Sequence, residues 1–207
     1  MPFRELGLEA RILKAVQEAG YTEPTPIQAA AIPKILEGGD LIGIAQTGTG
    51  KTAAFVLPTL TRLMATPPAP GARRTIRALV IAPTRELVVQ IEENVRIYAK
   101  YLPLRVGMVY GGVGERPQIE ALRGGADIII ATPGRLLDLT RRHGDFSKLQ
   151  CLVLDEADRM LDMGFLPDVR RIAEALPKER QTLLFSASLS REIERLTHDF
   201  MRQPKLV

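Results

Sequence analysis

Six short apolar runs, each trailed by a segment long enough for a helix, constrain the fold of this chain more than any other feature. The runs lie at 41–45, 78–82, 105–110, 127–131, 151–154 and 182–185. They are dense in Ile, Val and Leu and nearly lack the polar alternation of a half-exposed strand, so both faces must be covered. Helical patterns near 51–65, 84–100, 115–123, 134–142, 166–176 and 190–201 separate or follow them. This alternation predicts an α/β fold, a mostly parallel sheet with helices on both faces. Upstream, Leu8, Ile12, Leu13 and Val16 make an apolar stripe at helical spacing, which Gly20 stops. Thr25-Pro26 then reads as an N-cap with proline at the first helical position, and Pro33 predicts a kink or restart in that helix. The stretch 65–74, with three prolines and a glycine, reads as a surface loop. No linker-like stretch divides residues 1–207, which read as one domain.

Composition narrows the chemistry. A single cysteine, Cys151, sits inside an apolar run, so it reads as a small core residue and no intramolecular disulfide can form. His143 and His198 are far apart without ligand spacing, which argues against structural zinc. No apolar run approaches the ~20 residues of a membrane span, and the start lacks a signal-peptide pattern; a cytoplasmic protein is expected. The formal charge is +4 and the pI about 9.4. Most of the basic residues are arginine, whose planar fork of donors suits phosphate. A mildly basic surface fits nucleic acid, and equally a merely solvated exterior.

Residues 45–52 carry the strongest chemical signal: Ala45, Gln46, Thr47, Gly48, Thr49, Gly50, Lys51 and Thr52 lie between a predicted strand and a predicted helix. Phosphate loops of the form G-x-x-x-x-G-K-[ST] use glycines to turn backbone N–H groups toward the phosphates. The helix dipole faces the same anion. Lys51 would neutralise the outer phosphates and the Thr52 hydroxyl would ligate magnesium. Ala45 replaces the first glycine, a minor departure at a strand end.

About a hundred residues later, Asp155, Glu156, Ala157 and Asp158 follow the run at 151–154. The C-terminal edge of a parallel strand is where open α/β sheets bind ligands. There Asp155 would hold Mg2+ through water, and Glu156 would orient and deprotonate the water attacking a γ-phosphate. Read alone, the same residues are an acidic first helical turn. Beside a phosphate loop, they point to binding and hydrolysis of a nucleoside triphosphate.

These residues spell Asp-Glu-Ala-Asp, and nearly the whole chain strongly resembles the N-terminal RecA-like domain of DEAD-box ATP-dependent RNA helicases, among bacterial members the RhlE-like group. The resemblance implies a RecA-like P-loop domain, ATP and Mg2+ as cofactors, and RNA as partner. It maps the family's Q motif onto residues 20–28, ending in Gln28 and including Tyr21, with the upstream aromatic at Phe3. In that family the glutamine reads adenine and the aromatic packs on it; a carboxamide can pair with adenine N6 and N7 together. Without the resemblance, Gln28 is an ordinary helix residue and Phe3 a core residue. Three stretches resemble RNA-backbone contacts: Pro83-Thr84-Arg85, Gly111-Gly112 and Thr132-Pro133-Gly134-Arg135. Each follows a predicted strand, and two open a helix whose free N–H groups suit phosphate oxygens. Arg85 and Arg135 either face RNA or pair internally with a carboxylate such as Glu86. Such contacts carry no base specificity.

Ser186-Ala187-Ser188 stands where the family has Ser-Ala-Thr, a segment that couples hydrolysis to strand separation; the Ser188 hydroxyl is expected to hydrogen-bond Asp158. The resemblance also implies a second RecA-like domain beyond residues 1–207, with arginines that reach the γ-phosphate. Residues 1–207 alone are therefore expected to bind adenine nucleotides, hydrolyse ATP poorly and leave duplexes intact. Two other classes compete. A metabolite kinase would need a lid, for which only 66–72 is available, and an ATP-gated RNA clamp would not need intact Lys51, Thr52, Asp155 and Glu156.

Overall fold

The computed structural model describes all 207 residues. After a 3-10 turn at Phe3–Glu5, the chain forms α1 (Ala10–Glu18) and α2 (Pro26–Leu36), then β1 (Leu41–Ile44), α3 (Lys51–Ala65), β2 (Ala78–Ile81) and α4 (Arg85–Tyr98). There follow β3 (Val106–Val109), α5 (Arg116–Glu120), β4 (Ile128–Ala131), α6 (Pro133–Thr140) and β5 (Cys151–Leu154). The chain closes with α7 (Ala157–Asp162), α8 (Leu166–Ala175), β6 (Gln181–Ser186), α9 (Arg191–Phe200) and β7 (Lys205–Leu206). The strands make one sheet in the order β3-β4-β2-β5-β6-β1-β7, and every pairing is parallel.

The fold divides its apolar residues between two layers by the period-two alternation of the strands. Along β5, Cys151 and Val153 join the layer built with α1–α4, whereas Leu152 and Leu154 join the layer built with α6–α9. In β6, Leu183 and Phe185 face the first layer and Leu184 the second. Phe185 packs on Phe55 of α3 with ring centroids 5.4 Å apart. Burying each ring stabilises the fold by about 1.5–3 kcal/mol. Gly43 in β1 leaves room for that ring, since a Cβ there would lie 2.5 Å from it.

All six expected strands are present. The two-residue β7 had no apolar run to announce it, yet it pairs with Leu41 and Ile42. The helix does not restart at Pro33, and α2 is continuous to Leu36. Pro33 sits in the last turn, where only one backbone hydrogen bond, to the Ala29 carbonyl, is forfeited. Thr25, Thr84 and Ser190 cap α2, α4 and α9, accepting the N–H groups of Gln28, Leu87 and Ile193. Because every strand is parallel, the segments that leave β1–β6 at their C-terminal ends emerge on one edge, and that edge gathers the site. No helix is long and apolar enough to cross a membrane.

Candidate active site

The loop between β1 and α3 is shaped by two left-handed glycines, Gly48 (φ 83°) and Gly50 (φ 87°), and Gly50 is the N-cap of α3. Thr49 Oγ1 donates to the Gln46 carbonyl at 2.6 Å and braces the turn. Gln46, Thr47 and Gly48 are exposed, while Thr49, Gly50 and Thr52 are half-buried. The free N–H groups at the start of α3 face the same side, a built-in attraction for an anion.

Lys51, the first residue of α3, is buried and reaches across to the end of β5. Its Nζ lies 3.2 Å from Asp155 Oδ1 and 3.2 Å from Glu156 Oε1. Asp155 is fully buried; its Oδ1 accepts the Glu156 N–H, and its Oδ2 has no partner. Burial pushes the Asp155 carboxyl up to about 6, against the pull of Lys51. Glu156 has φ 52° and ψ 52°, a left-handed conformation that costs a non-glycine residue about 1–2 kcal/mol. That turn aims its carboxylate back at Lys51, while its Oε2 accepts from Arg159 Nη1 at 3.0 Å. Arg159 was missed in the sequence, although its spacing of three residues from Glu156 at a helix start is a readable signal.

Gln28 is buried beside the loop. Its Oε1 accepts the Thr25 N–H and its Nε2 donates to the Gly50 carbonyl, both at 3.0 Å. A carboxamide has two N–H donors and two lone pairs, so one of each is not engaged by Thr25 or Gly50. An open cleft of about 400 Å³ adjoins the loop, lined by Pro26, Ile27 and Ala30 on α2 and by Ile44, Gln46 and Thr49. Phe3 is buried in the apolar layer with Ile27 and Ile32. Tyr21 is exposed and packs on Tyr98 of α4, with centroids 6.2 Å apart.

Further along the same edge, the three remaining stretches come together because β3, β4 and β2 are neighbours. Arg85 is exposed, with its guanidinium 5.3 Å above the Tyr110 ring. Its Nη1 lies 3.8 Å from where a Cβ on Gly112 would stand. Arg135 donates to the Val113 carbonyl at 3.1 Å. Neither arginine pairs with a carboxylate, so Glu86 is not the internal partner considered above. Gly111 and Gly112 are exposed, Pro83 and Pro133 are buried, and Thr84, Thr132 and Gly134 are half-buried. Tyr110 and Gln118, whose Nε2 donates to the Tyr110 carbonyl, support this corner and were not read from the sequence.

The expected contact between the Ser188 hydroxyl and Asp158 is corrected. The bond runs from the Asp158 backbone N–H to Ser186 Oγ at 3.2 Å, and Ser186 Oγ donates to the Ser188 carbonyl at 2.6 Å. Ser188 itself is exposed. Ser186 ends β6, next to β5, and is buried within reach of α7, whereas Ser188 lies beyond the strand.

The structure offers no cluster of three or more His, Cys, Asp or Glu that could hold a metal by itself. Magnesium asks for less. It keeps several waters and takes one or two protein oxygens together with substrate phosphates. The partnerless Asp155 Oδ2 and the Thr52 hydroxyl at the start of α3 fit that donor set.

Comparison with known proteins agrees with this geometry. The model of the DEAD/DEAH box helicase family matches residues 25–196. The chain is 49% identical over 208 residues to the "DEAD-box ATP-dependent RNA helicase CshA" of Streptococcus pneumoniae, which aligns with 100% of this chain and 38% of that protein. It is 49% identical over 207 residues to the "ATP-dependent RNA helicase DeaD" of Escherichia coli, at 99% of this chain and 32% of that protein. The chain thus spans roughly a third to two fifths of the length of these curated relatives. Among solved structures, a DEAD box protein from the hyperthermophile Methanococcus jannaschii superimposes with a TM-score of 0.90 at 36% identity, covering 100% of this chain and 55% of that one. With its glycine loop, its Asp-Glu-Ala-Asp segment and its parallel sheet in the matched region, this chain belongs to the DEAD/DEAH box helicase family.

Proposed function

We propose that residues 1–207 form the N-terminal RecA-like, ATP-binding domain of an ATP-dependent RNA helicase. Joined to a second RecA-like domain of the same parent protein, it would couple Mg2+-dependent ATP hydrolysis to local unwinding of RNA duplexes. The observation that carries this reading is Lys51 at 3.2 Å from both Asp155 and Glu156, at a helix start that follows a left-handed glycine. A lysine so placed can move onto a β- or γ-phosphate, and the carboxylates then become available for a metal and a water.

In this mechanism, Gln46, Thr47, Gly48, Thr49 and Gly50 wrap the phosphates with backbone N–H groups, and Lys51 neutralises the outer ones. Thr52 and Asp155 would hold Mg2+, which when bound offsets the charge that develops on the phosphate oxygens. Glu156 accepts the proton of the attacking water, its carboxylate oriented by the Arg159 contact that remains once Lys51 has moved to the phosphates. Gln28 reads the adenine with its spare N–H and lone pair and transmits occupancy to Gly50; Tyr21, ahead of α2, and Phe3, in the apolar layer with Ile27 of α2, would complete the adenine side. Pro83, Thr84, Arg85, Gly111, Gly112, Thr132, Pro133, Gly134 and Arg135 grip one RNA strand through its backbone, without base specificity. Ser186, Ser188 and Asp158 couple the two functions. Arginines on the second domain would complete the γ-phosphate site, and such groups are worth on the order of 10³–10⁵ in rate. Residues 1–207 alone should therefore turn over slowly. The narrower placement, in the bacterial RhlE-like group and in the cytoplasm, rests on the sequence reading.

Two measurements test the proposal. Titration of the chain with ATP, ADP, AMP and GTP should give adenine-selective binding; equal affinity for GTP would remove Gln28 from its role. In the full-length parent, RNA should stimulate ATP hydrolysis, and Glu156→Gln should abolish hydrolysis while leaving nucleotide binding intact. Turnover indifferent to RNA would refute the helicase reading.

A further inference from the structure

The sheet edge opposite the glycine loop carries a second concentration of positive charge. Three segments converge there: Arg73 and Arg74 ahead of β2, Arg123 and Gly124 in the π-type turn that ends ahead of β4, and 142–145 after α6. They enclose a cleft of about 170 Å³. Arg73 Nη2 donates to the Arg123 carbonyl at 2.7 Å, and Arg123 Nε donates to His143 Nδ1 at 3.2 Å. That acceptor role leaves the ring proton of a neutral His143 on Nε2, as a donor. Gly124 permits the close approach. Its φ is 115°, and a Cβ there would lie 3.1 Å from the Arg74 carbonyl oxygen and 3.3 Å from Arg73 Nε.

The charges here do not cancel. Arg74 and Arg77 are paired with Asp127. Arg73, Arg123 and Arg142 have no carboxylate within salt-bridge distance. Asp145 is the one acid lining the cleft; its Oδ1 accepts the Ser147 N–H at 2.9 Å, and Arg73 is near enough to help hold its carboxyl below the usual range, so one negative charge stands against three arginines. The chain has 24 acidic residues, so neutralising partners were available. Leaving guanidiniums together unpaired costs repulsion, which a bound anion removes. A merely solvated surface would leave such side chains free; here Arg73 and Arg123, although exposed, are each tied by a hydrogen bond and line the same cleft, which keeps their remaining N–H donors near it. The cleft is smaller than the roughly 300 Å³ at which sites for drug-sized ligands begin. It is large enough for several waters, at about 30 Å³ each, or one hydrated tetrahedral anion.

We propose that this cleft binds a phosphate group, held by Arg73, Arg123 and Arg142 with His143 Nε2 as a further donor. Guanidinium forks match phosphate oxygens in pairs. The group is either a phosphodiester of RNA running over this edge or the phosphate of a small free solute. The site is separate from the nucleotide edge and does not depend on the function proposed for it.

The test is a set of ¹H–¹⁵N spectra of the nucleotide-free chain, titrated with inorganic phosphate and, separately, with a short single-stranded oligouridylate. The backbone amides of Gly124, His143 and Asp145 and the Nε–H of Arg123 should shift and saturate. Arg142→Gln should weaken the effect about tenfold, the worth of one charge-assisted hydrogen bond. Asp145→Asn, which keeps an acceptor for Ser147, should tighten it, a gain that a purely structural role would not produce. In both variants, ADP should still shift the amides of Lys51 and Thr52, which shows the fold intact. Saturation by the oligonucleotide well below the concentration needed for phosphate assigns the RNA backbone; saturation by phosphate at the same or lower concentration assigns a free solute. Absence of saturable shifts with both probes, or shifts that ignore both substitutions, overturns the proposal.

Discussion

Replacing Asp155 by asparagine should make the ligand-free protein gain stability relative to wild type as pH rises, a consequence of where this carboxylate is buried. Asp155 is fully buried, with Oδ2 unpartnered, and burial raises its pKa from 3.8 to about 6. A group whose folded pKa is raised contributes its full stability below the unfolded value and loses it as pH climbs through the folded value. The window therefore runs from 3.8 to about 6. At about 1.4 kcal/mol per pH unit, wild type loses about 3 kcal/mol across it from this one group. The carboxamide of the variant has nothing to titrate and keeps an oxygen for the Glu156 N–H. Urea unfolding of both proteins at pH 4, 5, 6 and 7, without nucleotide or divalent cations, gives the two curves. Their difference should move by up to about 3 kcal/mol in favour of Asp155→Asn between pH 4 and 7. Groups remote from Asp155 cancel in that difference, which leaves Asp155 and its two charged neighbours, Lys51 and Glu156, to set it. A gap that stays constant with pH would mean that Asp155 titrates normally, and would refute the claim that burial outweighs the pull of Lys51 on this carboxyl.

Gln28→Ala removes one side of the capping box and the bond to the Gly50 carbonyl, so it should lower stability by about 1–2 kcal/mol and reduce discrimination between ATP and GTP; urea unfolding and nucleotide titration read the two effects. Gly50→Ala forces a Cβ to 2.5 Å from Gln28 Nε2 at a left-handed φ, and should cost at least about 1–2 kcal/mol, seen as a thermal midpoint lowered by several degrees and weakened ADP binding. Arg85→Ala removes an exposed cation stacked on Tyr110, and should weaken RNA binding equally for all sequences while flattening the slope of log affinity against log salt by about one. A loss confined to particular base sequences would contradict the backbone role.

The parallel sheet was readable because strands covered on both faces cannot hide their apolar density, and Val80, Ile130, Val153 and Leu184 each stand in such a run. The two-residue β7 and the short α7 had no period to betray them; β7 exists only because β1 offers it a free edge. Pro33 does not restart the helix because it stands in the last turn, where little of the interior hydrogen-bond ladder is left to lose. Within the site, the separate signals of the glycine loop and the acids were legible, but not their direct contact. That contact depends on β5 lying two strands from β1, with Lys51 crossing in front of β6, and no local pattern encodes strand order. Ser188 misled for a related reason: sequence adjacency to Ser186 says nothing about which hydroxyl the strand end turns toward α7.

The ligand-free site satisfies itself with the same groups that a nucleotide would need. Lys51 is held between Asp155 and Glu156, Glu156 is held again by Arg159, and Gln28 is tied to both Thr25 and Gly50. In the proposed cycle, phosphates that draw Lys51 away bring their own negative charge toward two carboxylates that have just lost their cation. At close range in a buried site, such repulsion is large compared with one hydrogen bond. Asp155 and Thr52, which would hold a divalent cation, would then have the positive charge beside them that relieves it. The resting ion triad then has a physical purpose. It keeps the acids from facing one another unpaired when the site is empty, and under the proposed function it would make productive occupancy depend on nucleotide and metal arriving as a unit.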